Sequence, residues 1–148
     1  MTVGKIKLTY ETFIPIKDRY KISESKEVYK HIYKIYDKST IELKESFYLT
    51  LFNRANLFNG FVEISTGSSV GTCVDVKHII TSVCESNSSA CIISHNHPSG
   101  NLTPSKSDRI ITTKIKEALK FVEVQLLDHI IVSPEPSEYY SFADSGEL

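Results

Sequence analysis

Hydrophobic positions along the chain switch between a spacing of three or four and a spacing of two, and the switches mark the elements. From Ser23 to about Lys38, Val28, Ile32 and Ile35 fall on one helical face, with Lys26, Lys30 and Lys34 elsewhere, and Lys38-Ser39-Thr40 ends the run. Ser46–Phe52 (SFYLTLF) sets Phe47, Leu49 and Leu51 against Tyr48, Thr50 and Phe52, the period of a strand. Asn53–Asn56 predicts a turn and Leu57–Ser65 a returning strand, with Asn59-Gly60 inside it marking a bulge or a shifted turn. Val70–Val74 predicts a short further strand. Asp75 is a suitable N-cap for a helix whose Val76, Ile79, Ile80, Val83 and Cys84 share one face, ended by Asn87–Ser89.

Ala90–Ser94 is a compact apolar strand. A polar loop follows, then a second amphipathic helix through Ile111, Ile115, Ala118, Leu119 and Val122, for which Thr103 is a plausible cap with Pro104 at the first helical position. Val124–Ser133 closes the series as the last strand, broken by Pro134 and Pro136. The order helix, hairpin, helix, strand, helix, strand predicts an α/β fold: one α/β/α layered domain around a mixed sheet. Residues 1–22 add a β-prone arm, 23–133 form the domain, and 134–148 read as an acidic tail.

Composition agrees with a folded domain: 148 residues, 41% hydrophobic and 24% charged. No apolar run is long enough for a membrane span, and the first residues lack an apolar signal core. Cys73, Cys84 and Cys91 form no CxxC, so they read as reduced, buried thiols of a cytoplasmic protein. Net charge is −1, which gives no bulk electrostatic reason to bind nucleic acid. The charge is uneven: nine of the 17 basic residues precede position 39, and none follows Lys120. Solvated faces of opposite sign are the simplest account, and a basic docking surface on the first helix is the sharper one.

The candidate chemistry lies in the polar loop, SHNHPSGNLTPSKSD from Ser94 to Asp108, at a strand-to-helix junction. His95 and His97 are two apart in extended chain, so both imidazoles point to one face while Asn96 turns away. Ser105 and Asp108 are three apart on the first helical turn and also face together. If the loop folds back, two imidazoles and one carboxylate meet with a fourth position left for water, the donor set of a catalytic zinc site. Ser105-x-x-Asp108 is equally the pattern of a capping box, which alone would explain that pair but not two same-face histidines upstream.

The pattern HxHP, six residues, then SxxD resembles the metal-binding signature of the JAB/MPN (JAMM) zinc metalloprotease superfamily. HNHPSGNLTPSKSD together with LLDHIIVS is closer still to its RadC-like branch, over roughly 23–133. The resemblance implies a JAB/MPN (cytidine-deaminase-like) fold and zinc (Zn2+) bound by His95, His97 and Asp108. It implies that Ser105 hydrogen-bonds a developing oxyanion or positions the water, and that an upstream glutamate acts as general base. Glu45 stands where RadC-like sequences carry that base, with Glu42 and Glu63 as rivals. The implied activity is hydrolysis of a peptide or isopeptide bond in a peptide or protein conjugate.

The alternatives are a DNA-repair-associated or other nucleic-acid-associated accessory protein without peptidase activity, and a pseudo-enzyme that keeps the metal for stability. The helix-hairpin-helix region that full-length RadC-like proteins carry before this domain has no counterpart in these residues. That departure and the near-zero net charge weigh against DNA. Asp128 and His129 are read either as a core hydrogen bond or as support for a ligand imidazole. His31 and His78 read as surface residues, and Gly67–Gly71, which lacks the lysine of a phosphate loop, as a possible lining of the substrate groove. A cysteine hydrolase built on Cys91 is disfavoured because that thiol falls in an apolar run.

Overall fold

The computed structural model describes residues 11, 14–67 and 73–148. Its elements run α1 (Ser25–Tyr33), β1 (Ser46–Phe52), β2 (Phe58–Thr66), α2 (Val76–Glu85), β3 (Ala90–Asn96), α3 (Lys106–Lys120), β4 (Gln125–Val132) and β5 (Tyr139–Ser141). They form one five-stranded sheet ordered β2-β1-β3-β4-β5. Only β3 and β4 are parallel, and α3 crosses between them, so the sheet is mixed. This is the α/β/α arrangement the periodicities predict.

Strand alternation sorts side chains to two layers. Phe47, Leu49, Leu51, Cys91 and Ile93 pack under Ile79 and Val83 of α2 and Ile115 and Leu119 of α3. Tyr48, Phe52, Ile92, Ile130 and Val132 pack under Val28, Tyr29 and Ile32 of α1. Every residue of β1 and β3 is therefore buried, the expected state of central strands covered on both faces. Leu49 and Ile93, both fully buried, contribute about 1.5–3 kcal/mol each. In the hairpin, Asn53 Oδ1 accepts from the backbone N–H of Ala55 and Leu57, and Asn56 takes a positive φ of 59°. Leu51 pairs with Gly60 and Phe52 with Phe58, so of the two readings of Asn59-Gly60 the structure has the bulge, with Asn59 as the extra residue.

Several details differ from the sequence reading. Helix α3 is capped by Ser105, not Thr103. Ser105 Oγ accepts from Asp108 N–H at 3.1 Å, and Asp108 Oδ2 accepts from Ser105 N–H at 2.6 Å, so this reciprocal pair starts the helix beyond Pro104. Helix α1 ends at Tyr33, and turns carry the chain from there to β1. Cys73 and Cys84 are exposed, and only Cys91 is buried. The face of α2 is narrower than its sequence stripe, with Ile79 and Val83 at its centre and Cys84 at its rim.

In the N-terminal arm, residues 16–18 form a 3-10 turn and Lys21 makes a single bridge to Leu57. The rest of the expected β character lies outside the described residues. Residues 68–72 are also outside them, which takes in most of the Gly67–Gly71 loop. Cys73 and Val74 belong to no strand. Residues 134–148 are no mere tail: Tyr139–Ser141 pairs with β4 as the fifth strand, and Phe142 is fully buried. Among the described residues, no helix is long and apolar enough to cross a membrane.

Candidate metal centre

The site forms where β3 ends and α3 begins, at the carboxyl end of a parallel strand. His95 is the last but one residue of β3, and His97 follows the strand, held by its N–H to Val132 O at 3.1 Å. Gly100, at φ 74°, gives the turn after Pro98 the left-handed conformation that glycine adopts without strain. The capping box then fixes Asp108 on the first turn of α3 while leaving Oδ1 free of the cap. Oδ1 lies 3.3 Å from His95 Nε2, Oδ2 lies 3.7 Å from His97 Nε2, and the two Nε2 atoms are 2.9 Å apart. One ligand atom from each of the three residues lies within 4.8 Å of the others, the grouping expected of a metal site. Capping and convergence are thus one arrangement, since Asp108 serves both.

The chemistry of the donors fits a divalent ion. His97 Nδ1 faces Asn101 O at 2.5 Å, and a carbonyl can only accept, so that nitrogen carries the hydrogen and Nε2 presents a lone pair to the cleft. His95 is fully buried. Burial lowers its pKa to about 4, against the pull of Asp108 and with the push of His97, so its imidazole is neutral, the form that binds metal. With His95 neutral, its contact with Asp108 sets a lone pair beside a carboxylate, a pair of donors that a divalent ion could share, and is not a salt bridge.

Around this group stands a layer that the sequence only hinted at. His95 Nδ1 lies 2.8 Å from His129 Nε2, and His129 Nδ1 lies 2.6 Å from Thr112 Oγ1. Thr112 Oγ1 donates to Asp108 O at 2.5 Å. His129 is fully buried and stacks on Phe142 with ring centroids 4.7 Å apart. Its neighbour Asp128 points elsewhere. It accepts from Ser141 Oγ, Ala143 N–H and His129 N–H, so it pins the segment that carries Phe142. Thr112 was not singled out by sequence. Its signal was a hydroxyl on the buried stripe Thr112, Ile115, Leu119, one turn after Asp108.

Glu45 precedes β1 and lines an open cleft with Glu42, His97, Asn101 and Ser105. Burial raises its pKa; His97 opposes the shift and Asp108 adds to it, which places the carboxyl electrically close to the ligand group. Asn96 holds this loop. Its Oδ1 accepts from Ser46 N–H at 2.8 Å, and its Nδ2 donates to Ile41 O and Lys44 O. Glu42 is exposed on the cleft rim. Glu63 is engaged elsewhere, accepting from Tyr48 Oη at 3.0 Å and Thr66 Oγ1 at 2.5 Å. His78 is exposed, and His31 is half-buried, stacked on Tyr20 at 3.7 Å. Burial pushes the Cys91 thiol up to about 12, which leaves it inert.

A mixed sheet between helical layers, with a His-x-His and an Asp at the β3–α3 junction, defines the JAB type of α/β domain. The sequence profile of the RadC-like JAB domain matches residues 22–147, and the chain belongs to that family. It is 39% identical over 102 residues to a UPF0758 protein of Flavobacterium johnsoniae, covering 69% of this chain and 44% of that protein. It is 47% identical over 91 residues to a UPF0758 protein of Coprothermobacter proteolyticus, covering 62% of this chain and 39% of that one. With a UPF0758 protein of Vibrio cholerae the identity is 38% over 105 residues, 71% of this chain and 65% of the relative. The chain thus matches less than two thirds of the length of each of these relatives.

Proposed function

We propose that the chain is a zinc-dependent hydrolase of peptide or isopeptide bonds, acting on a peptide or protein conjugate. The observation that carries this is the meeting of His95, His97 and Asp108, with His97 also lining a cleft that includes Glu45 and Ser105. Zinc bound by those three residues would supply Lewis acidity, polarising a carbonyl and making water acidic near neutral pH. Glu45 takes the proton from the attacking water on its carboxylate and returns it to the departing amine. Its half-buried position, which raises its pKa, suits a group that must both accept and give back a proton. Ser105 Oγ accepts within the cap, so its own O–H hydrogen remains to donate to the oxyanion. Asn96 keeps the Glu45 loop at its distance from the histidines.

The experiment is metal analysis of the purified protein, paired with cleavage of a fluorogenic isopeptide-linked substrate. One zinc per chain is expected, lost in His95→Ala, with cleavage abolished by chelation and restored by added zinc. A protein that takes up no zinc, or a cleavage rate indifferent to chelation, would overturn the proposal.

A further inference from the structure

We infer that Thr112 and His129 are positioning residues that set the tautomer of His95, so that its metal-facing nitrogen is bare before any metal arrives. The inference deepens the metal-centre reading above and rests on it.

The chain of contacts runs in one direction. Thr112 has a single hydroxyl hydrogen, and it donates to Asp108 O at 2.5 Å, a carbonyl that can only accept. Thr112 Oγ1 therefore meets His129 Nδ1, 2.6 Å away, as an acceptor, and Nδ1 must carry the hydrogen. The ring of His129 is fully buried against Phe47 and Phe142, and its nitrogens meet Thr112 and His95 with no carboxylate to pair a charge, so with the hydrogen on Nδ1 its Nε2 holds a lone pair. That lone pair faces His95 Nδ1 at 2.8 Å, so His95 places its own hydrogen on Nδ1. His95 Nε2 is left with a lone pair, aimed at Asp108 Oδ1 and His97 Nε2. His97 reaches the same state by its separate bond to Asn101 O. The source of the order is thus a backbone carbonyl on the first turn of α3, the turn that also carries the ligand Asp108. Phe142, stacked on His129, holds the ring in the plane the relay requires.

Removing the hydroxyl frees the relay. In Thr112→Val, His129 can move its hydrogen to Nε2 and donate to His95 Nδ1, which places the His95 hydrogen on Nε2, where the metal must bind. Val matches Thr in shape, and Thr112 sits on a buried apolar stripe, so the variant should fold. Loss of a partner outside the ligand set typically costs about 10–100-fold in metal affinity.

The test has two readouts besides activity. The first is the tautomer of His95 in metal-free wild-type protein, read from side-chain 15N shifts: hydrogen on Nδ1 is expected, and hydrogen on Nε2 overturns the inference whatever the variants do. The second is zinc affinity by competition with a chromophoric chelator. Thr112→Val should bind about 10–100-fold more weakly, with hydrogen appearing on His95 Nε2, while Thr112→Ser, which keeps the hydroxyl, restores both. Folded Thr112→Val with wild-type zinc affinity ends this inference and leaves the metal centre standing. Wild-type protein that takes up no zinc ends both.

Discussion

The two walls of the cleft are built by opposite means. One wall, where His97 lines the cleft and meets His95 and Asp108, comes from one strand end and the helix that follows it, and each member is held by a rigid element or a short local bond. The other part of the lining, Glu45, comes from a loop far back in the chain, and long-range hydrogen bonds from the Asn96 amide hold that loop in place. The first wall is set by one strand–helix junction, braced from β4 by Val132 and His129, and the second by side-chain bonds across the chain. A binding function needs only the first; hydrolysis needs both, at a set separation.

The most drastic way to break the first wall is Asp108→Ala. Stoichiometric zinc should vanish, and loss of the capping box should also cost about 1 kcal/mol in urea unfolding. Asp108→Asn sharpens the point, because its amide oxygen can still accept from Ser105 N–H: stability should recover while zinc binding does not. Retention of zinc in the alanine variant would remove Asp108 from the ligand set.

Next in size is Glu45→Gln. Zinc content should stay at the wild-type level while turnover falls by about 10²–10⁴-fold, the usual contribution of a general base. Glu63→Gln, which alters a carboxylate bonded to Tyr48 and Thr66, should leave turnover unchanged. The reverse pattern would move the role to Glu63.

Asn96→Ala attacks the hinge between the walls. It strips the partner from the Ser46 N–H and from two loop carbonyls, and should cost about 1–3 kcal/mol in stability. Turnover should fall further than zinc affinity, since the ligands keep their own supports. Equal losses in both would mean that the walls are not independent.

The smallest effect is a pH slope from Asp128, behind the ligand wall. Burial outweighs its three hydrogen bonds and raises its pKa above 3.8. The folded state therefore holds that proton more tightly than the unfolded chain. The stabilisation is full below 3.8 and is lost as pH rises through the folded value. In urea unfolding across that acid range, Asp128→Asn should gain on wild type as pH rises. A gap that narrows would show that hydrogen bonding, not burial, sets this group.

Much of this was legible in the sequence for the same reason that the walls differ. Helical and strand periods report which face is buried, so the layers could be read directly, while Asn59-Gly60 left a bulge and a shifted turn open until the register was known. The spacing of His95, His97, Ser105 and Asp108 is local, so strand and helix geometry alone could bring them together. Glu45 could be reached only through family resemblance, because nothing near it in sequence reveals the Asn96 bonds that hold its loop. The end of the chain misled for a related reason. Pro134 and Pro136 do end β4, but it is not the last strand, because a turn closed by Ser133 N–H to Glu138 O and a positive φ at Ser137 returns the backbone to pair with it. Ser105 and Asp108 carried two competing readings, cap and site, and the fold satisfies both with the same atoms.

Phe142 carries the final consequence. It touches no ligand, yet its ring is the floor on which His129 rests, and Asp128 clamps the residues on either side of it. Any shortened version of the chain designed to stop at the proline pair would keep every ligand and still lose that floor. The unit that supports the histidine group therefore extends through Phe142, and a fragment judged only by whether it contains the histidines would be cut too short.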